Sequence, residues 1–206
     1  MSQVSPIDRR ITRTKAAIRC ALAVCVNESG FDTLSVKDIT TRAGVNRGTF
    51  YLHYHDKVDL IEKVQAEVIQ DFERIILESD PTSFADLARL EEPLPVIISL
   101  FTYLKENADL MNALLKLKGD VAFHTHIKRA LETNLRKIGF LAGAEPEQFQ
   151  VPGDYLISYV LSAYLGVLQQ WLQSGCIESP EEMAGILSKL SVEGPVRVMA
   201  GGKGTY

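Results

Sequence analysis

The stretch Ser35–Lys57 reads SVKDITTRAGVNRGTFYLHYHDK, and its punctuation sets the fold. Ser35 followed three residues later by Asp38 is a capping-box pattern, in which each residue satisfies a backbone or side-chain group of the other. Val36, Ile39 and Ala43 recur at helical spacing, so Val36–Ala43 is expected to be a helix with one buried face. Gly44 stands where a left-handed C-terminal residue costs least. Val45 can pack inward at the corner, and Asn46 is placed to cap a second helix, Arg47–Tyr54. Asp56 then caps a long third one. Two short helices around a Gly-containing turn make a helix-turn-helix.

The second of these helices is unusual in what it exposes. Phe50 should face the core, which leaves Arg47, Gly48, Thr49, Tyr51 and Tyr54 near the open face. A glycine in so short a helix costs about 1 kcal/mol relative to alanine. The cost makes sense where a backbone must approach another surface closely. Lys57 falls in the first turn of the next helix, where the dipole disfavours a cation; a bound phosphate would offset that penalty. A small three-helix core with incidental surface polarity is the plainer reading. Capping, turn and exposed donors agree better with a binding surface.

The distribution of charge agrees as well. The chain carries a net charge of −4, which taken alone argues against a nucleic-acid binder. Residues 1–57, however, hold nine Lys/Arg against five Asp/Glu, and the remainder holds 13 against 21. A basic head on an acidic body is expected when only one end of a molecule meets phosphates. The apolar fraction of 46% over 206 residues suits a real core in one compact unit or two small ones. With no long apolar span and no signal-peptide pattern at the N-terminus, a soluble cytoplasmic protein is expected. Cys20, Cys25 and Cys176 form an odd set without metal-ligand spacing, as reduced intracellular thiols would.

The run from about Arg10 to Val64 resembles the DNA-binding domain of the TetR family of one-component transcriptional regulators. Phe31, Ile39, Ala43, Gly44, Val45, Gly48, Thr49, Phe50, Tyr51, Tyr54, Lys57 and Leu60 carry the resemblance, over about a quarter of the chain. It implies an all-α protein: an N-terminal three-helix helix-turn-helix DNA-binding domain over 1–57, a linker helix 57–79, and a C-terminal helical ligand-binding and dimerisation domain over 80–206. Carried over residue by residue, it also implies DNA contacts from Ser35, Lys37, Asn46, Arg47, Gly48, Thr49, Tyr51, His53, Tyr54 and Lys57. The chemistry fits: Arg47 can be bidentate to guanine and Thr49 can touch a thymine methyl or a phosphate, whereas Tyr51, Tyr54 and Lys57 suit phosphates, which position without specifying. A helix-turn-helix dimer reads a twofold operator with two heads.

Taken in order, Met1–Pro6 reads as an arm and Asp8 as the cap of a helix ending near Ser29. Ile18, Ala21, Leu22 and Cys25 form its buried stripe. Arg9, Arg10 and Arg13 crowd its first turns, where DNA-backbone contact and a solvated face compete as explanations. Thr33 lies where a hydroxyl could meet phosphate. Asp80–Pro95 is broken by prolines around a short helix, Phe84–Leu90. Helices follow over Leu94–Asn107, Ala108–Lys116 and Asp120–Leu141, then a loop over Gly143–Gly153. Tyr155–Leu172 is apolar round most of its circumference, which a helix tolerates only when covered on several sides. Ser162, Ala163 and Gly166 would permit close helix approach. With a last helix at Pro180–Leu190 it can form a four-helix bundle across a twofold axis, the homodimer that the resemblance also implies. The tail from Val192 reads as loose.

The resemblance further implies an effector cavity in the C-terminal helices, for which Phe101, Leu104, Met111, His124, Tyr155 and Tyr159 are the candidates. Ordinary packing explains any one of these aromatics equally well; their polar handles suit a mostly apolar ligand. His124 and His126, two apart on a helix, point in opposed directions and cannot chelate together, and His53 and His55 fail alike. Cys20 and Cys25 are poorly spaced for a disulfide and read as buried thiols. Gly201–Thr205, GGKGT, lacks phosphate-loop spacing. No metal, cofactor or catalytic set is expected. The expected function is a DNA-binding repressor released from a palindromic operator by a small, largely apolar ligand. An activator or an effector-independent regulator of the same fold is the alternative, and a helical enzyme using the cavity is a remoter one.

Overall fold

A computed structural model describes residues 6–78, 95–117, 125, 127–133 and 151–194. Among them there is no strand. The helices are α1 (Pro6–Ser29), α2 (Val36–Ala43), α3 (Arg47–Tyr51), α4 (Lys57–Leu77), α5 (Pro95–Glu106), α6 (Ala108–Leu115), α7 (Gly153–Gln173) and α8 (Pro180–Val192). Residues 127–133 are helical too. None of the described helices is long and apolar enough to cross a membrane.

The chain forms two compact units, one from Met1–Val68 with Asn107–His124, the other from Ile69–Glu106 with Thr125–Tyr206. This division differs from the bounds at residues 57 and 80 that the resemblance implies. Packing is the reason. Helix α6 lays Leu110, Met111 and Leu114 into the interior of the first unit, against α1.

Within the first unit, α1 is the hub. Its stripe of Ile18, Ala21, Leu22 and Cys25 is buried as the spacing predicts. It packs on α2 and on α6. Asp8 is not its cap: the helix already runs from Pro6, and the Asp8 carbonyl accepts from Thr12 Oγ1 at 2.9 Å inside the first turn. Gly30 closes the helix with φ +77°, its N–H donating to Val26 O at 2.9 Å. Cys25 is buried, whereas Cys20 is exposed and so is not a core thiol.

Helix α3 is three residues shorter than the pattern predicts. After Tyr51 the chain tightens, with His53 N–H donating to Phe50 O at 2.9 Å, and Leu52 turns out to solvent. The tightening lets Tyr54 drop into the core beside Phe50. Asp56 caps α4 as expected, its Oδ1 accepting from the N–H groups of Val58 at 2.8 Å and Asp59 at 2.9 Å.

In the second unit α8 packs with α5 and α7. Phe101 meets the Trp171 ring edge-on, centroids 5.0 Å apart. Ser179 caps α8 through a reciprocal box with Glu182. On α7, Ile157, Leu161, Trp171 and Leu172 are buried, whereas Tyr155, Tyr159, Ser162, Ala163 and Gly166 lie on an exposed side. The expected helix 84–90, the loop 143–150 and the tail from 195 lie outside the described residues.

Phe50, with none of its surface exposed, is the deepest aromatic among the described residues of the first unit. Phe50→Ala should therefore cost about 3–5 kcal/mol of that unit's stability. Denaturant titration followed by circular dichroism would show it; a loss under 1 kcal/mol would mean that the ring is not the keystone of the unit.

Candidate nucleic-acid interface

The surface around α2 and α3 is built by local hydrogen bonds that each answer a backbone need. Ser35 Oγ accepts from Asp38 N–H at 3.3 Å. The Asp38 carboxylate accepts from Ser35 N–H at 3.0 Å and from Ser35 Oγ at 2.6 Å. These bonds stabilise the anion, so the Asp38 carboxyl titrates below its ordinary value, the Ser35 hydroxyl being the largest cause and the Ser35 amide the next. Gly44 ends α2 at φ 65°, ψ 30°, and Val45 N–H donates back to Thr40 O at 3.0 Å. Any residue with a Cβ would be strained at that φ. Asn46 Oδ1 accepts from Gly48 N–H at 2.9 Å and caps α3. Ser35 and Asn46 are therefore engaged in aiming the two helices.

What the two helices present outward is a mixed donor surface. Lys37, Arg47 and Gly48 are exposed, Thr49 and His53 are half-buried, and Tyr51 is 55% exposed with its edge on Phe50. Between the helices runs an open groove of about 480 Å³ lined by Lys37, Thr40, Thr41, Val45, Asn46 and Arg47. Gly48, next to Arg47, is a glycine for no internal reason. A Cβ there would meet only Asn46 Oδ1 at 3.5 Å, an ordinary contact, and its φ is not left-handed.

Two predicted contacts are not where the pattern suggests. Tyr54 is 3% exposed, its ring 5.4 Å from that of Phe50, with Lys63 Nζ over the ring at 5.5 Å from its centroid. Burial first, and the nearby carboxylates of Glu67 and Asp59 second, push its phenol up to about 12. Tyr54 is packed in the core. Lys57 Nζ donates to Phe31 O at 3.0 Å, Asp32 O at 3.1 Å and Leu34 O at 2.8 Å, so the dipole penalty at the start of α4 is offset inside the chain, by carbonyls. Thr33 Oγ1 likewise donates inward, to Ser29 O at 2.8 Å.

Two further ties hold this region. Arg42 pairs with Glu28 fourteen residues away. Lys63 bridges His53 O and the Asp59 carboxylate, fixing the turn between α3 and α4.

The effector candidates are divided between the two units. Phe101 and Leu104 are buried in the second unit, but Met111 is buried in the first. Tyr155 and Tyr159 are 73% and 60% exposed, and His124 lies outside the described residues. Trp171 stands out: its Nε1 is buried and has no hydrogen-bond partner among the described residues.

With this geometry in place, comparison with known proteins becomes informative. Residues 20–64 match the model of bacterial regulatory proteins of the tetR family, and residues 91–192 match a transcriptional regulator C-terminal region of the same series. An uncharacterized HTH-type transcriptional regulator of Bacillus subtilis (strain 168), YxbF, is 30% identical over 95 residues, 45% of this chain. The chain spans only 25% of that relative's length. BepR, an HTH-type transcriptional repressor of Brucella suis biovar 1 (strain 1330), is 24% identical over 177 residues, covering 77% of this chain and 80% of BepR. Among solved structures, the fatty acid degradation regulator FadR from Bacillus halodurans shares the fold with a TM-score of 0.66 at 17% identity, over 94% of this chain and 98% of that one.

The capping box carries a pH signature. A carboxyl whose folded pKa is depressed contributes stability above its unfolded value and loses it as pH falls through the folded one. Asp38 should therefore titrate by NMR below 3.8, and Ser35→Ala should return its midpoint towards 3.8. The stability gap between the two chains should close as pH is lowered through that range. A midpoint for Asp38 unaffected by Ser35→Ala would show that the box does not form in solution.

Proposed function

This chain belongs to the TetR family of bacterial regulatory proteins, and on that premise we propose that it is a sequence-specific repressor released from a palindromic operator by a small, largely apolar ligand. Family membership makes it a DNA-binding transcriptional regulator and not an enzyme. The observation that carries the DNA reading is Gly48. The chain has room for a side chain there and no backbone need for glycine, yet the residue sits exposed between Arg47 and Thr49. A double helix laid against α3 supplies the missing reason. Arg47 and Thr49 then meet base edges, and Lys37, Tyr51 and His53 meet the backbone, with Ser35 and Asn46 holding the helices that carry them.

Repression is favoured by the name of BepR, whose match spans most of both chains. A ligand that orders the second unit would act there by differential affinity for two states of the chain. Trp171 supports a ligand of mainly apolar character with a hydrogen-bond acceptor, since its indole N–H is buried beside Phe101 and has no partner among the described residues. Dimerisation through 155–172 and 180–190 is supported by the exposed side of α7. Tyr155 and Tyr159 there bring apolar area, and Ser162, Ala163 and Gly166 allow two helices to approach closely. A cytoplasmic location follows from a role on operator DNA.

Gly48→Ala separates folding from binding. It should raise stability by about 0.5–1 kcal/mol and lower affinity for DNA by roughly tenfold or more. Arg47→Ala should lose about 1–3 kcal/mol on a duplex selected from a random pool and much less on a mixed-sequence one. Equal losses on both duplexes would remove Arg47 from base reading, and a Gly48→Ala chain binding as well as the parent would remove the close approach.

Sedimentation tests the dimer. The parent chain should sediment as a dimer, and Tyr159→Arg, which sets like charges together near the twofold axis, should raise its dissociation constant at least about tenfold, or 1.4 kcal/mol. A parent chain that is monomeric would end this reading of α7.

A further inference from the structure

We infer that Lys57 is a positioning residue that clips the α1–α2 turn to the start of α4, and that it makes no phosphate contact. The inference rests on the DNA reading above and revises which residues execute it.

The donor inventory is the first argument. An ammonium has three N–H groups and accepts nothing. In Lys57 all three are engaged, by Phe31 O, Asp32 O and Leu34 O, at 2.8 to 3.1 Å. The Phe31 ring lies under the same nitrogen, 4.7 Å from its centroid, which adds a cation–π contact. A phosphate oxygen could be reached only by giving up one of these bonds.

Position is the second argument. The three carbonyls come from one short turn, residues 31–34, which closes on itself through Leu34 N–H donating to Phe31 O at 3.2 Å. Phe31 O already accepts within the turn, and Asp32 O and Leu34 O take their donor from Lys57. Lys57 begins α4, just after the turn that ends α3. One side chain therefore ties the turn preceding α2 to the turn following α3, at the two ends of the motif that presents Lys37 and Arg47. Ser35, which caps α2, directly follows the clipped carbonyl of Leu34. Loosening the clip would let α2 shift against α3 while leaving every outward-facing donor in place.

The test compares Lys57→Met with Lys37→Met in the full-length chain, on a mixed-sequence duplex over a range of salt concentrations. A lost phosphate contact lowers the slope of log affinity against log salt by about 0.9 per head. Lys37→Met should show that reduction. Lys57→Met should keep the parent slope and lose affinity by about tenfold at every salt concentration, the worth of roughly one charge-assisted hydrogen bond. In the DNA-free chain its Leu34 amide should exchange at least about tenfold faster. A slope lowered by about 0.9 per head, or a Leu34 amide that exchanges as in the parent, overturns the inference. Should Lys57→Met fail to fold, the parent chain still decides. Its Lys57 ammonium protons should be shielded from water exchange before DNA is added and unchanged in shift afterwards; a phosphorus coupling or a shift on adding the duplex would show a phosphate contact. A parent chain without salt-dependent affinity for the duplex would defeat the DNA reading, while the free-chain measurements would still judge the clip.

Discussion

A helix of five residues cannot hold its shape in water, since nucleation alone costs more than one turn of hydrogen bonds returns. Everything that α3 does therefore depends on Phe50, whose ring is wholly buried and anchors the helix from below. Asn46 fixes its first turn and Gly44 sets the angle at which it leaves α2. Tyr54 and Tyr51 pack against the same ring from two directions. The exposed face of α3 is thus the reverse side of a core contact, and its side chains can be held still only because Phe50 is.

How much of this could be read beforehand depended on the range of the interaction. Caps are local, so Ser35 with Asp38, Gly44, Asn46 and Asp56 were legible from spacing alone, and all four are formed. Tyr54 was legible too, and was misread. It lies four residues after Phe50, the spacing that puts two side chains on one face, so the burial of one implied the burial of the other. Lys57 was not legible in this way. Its partners are the carbonyls of a turn more than twenty residues earlier, and backbone oxygens leave no trace in a sequence. The exposed side of α7 was hidden for another reason: an apolar residue does not disclose whether its own chain or a second one covers it.

Charge counting located the basic head but overstated what it offers. Of the nine cations before residue 58, Arg42 is paired with Glu28, and Arg19 donates to Asn107 Oδ1 at 2.6 Å and lies 3.9 Å from Glu67. Lys57 is turned inward. Arg9, Arg10, Arg13, Lys15, Lys37 and Arg47 remain exposed, the last two bordering the groove between α2 and α3. A field built from formal charges steers a polyanion towards this face. Which phosphates and bases are then touched is decided by the few donors that the fold has left outward.

The place of α6 shows why charge and packing divide the chain differently. Charge records what a surface meets, so it changes near residue 57, where the basic stretch ends. Packing records what a unit is made of, and the interior of the first unit is completed by Leu110, Met111 and Leu114 from the acidic part of the sequence. The polar ties follow the same rule. Asn107 precedes α6 and would ordinarily cap it, but its side-chain oxygen takes the Arg19 guanidinium and no side-chain cap is made. Asn27 Nδ2 donates to Asp109 O at 2.8 Å, and Lys116 Nζ donates to Asn27 Oδ1 at 3.2 Å. A cap worth about 1 kcal/mol is given up in exchange for a bond that holds α6 to α1. The first turn of α6 is thus held by α1, the helix that also packs on α2.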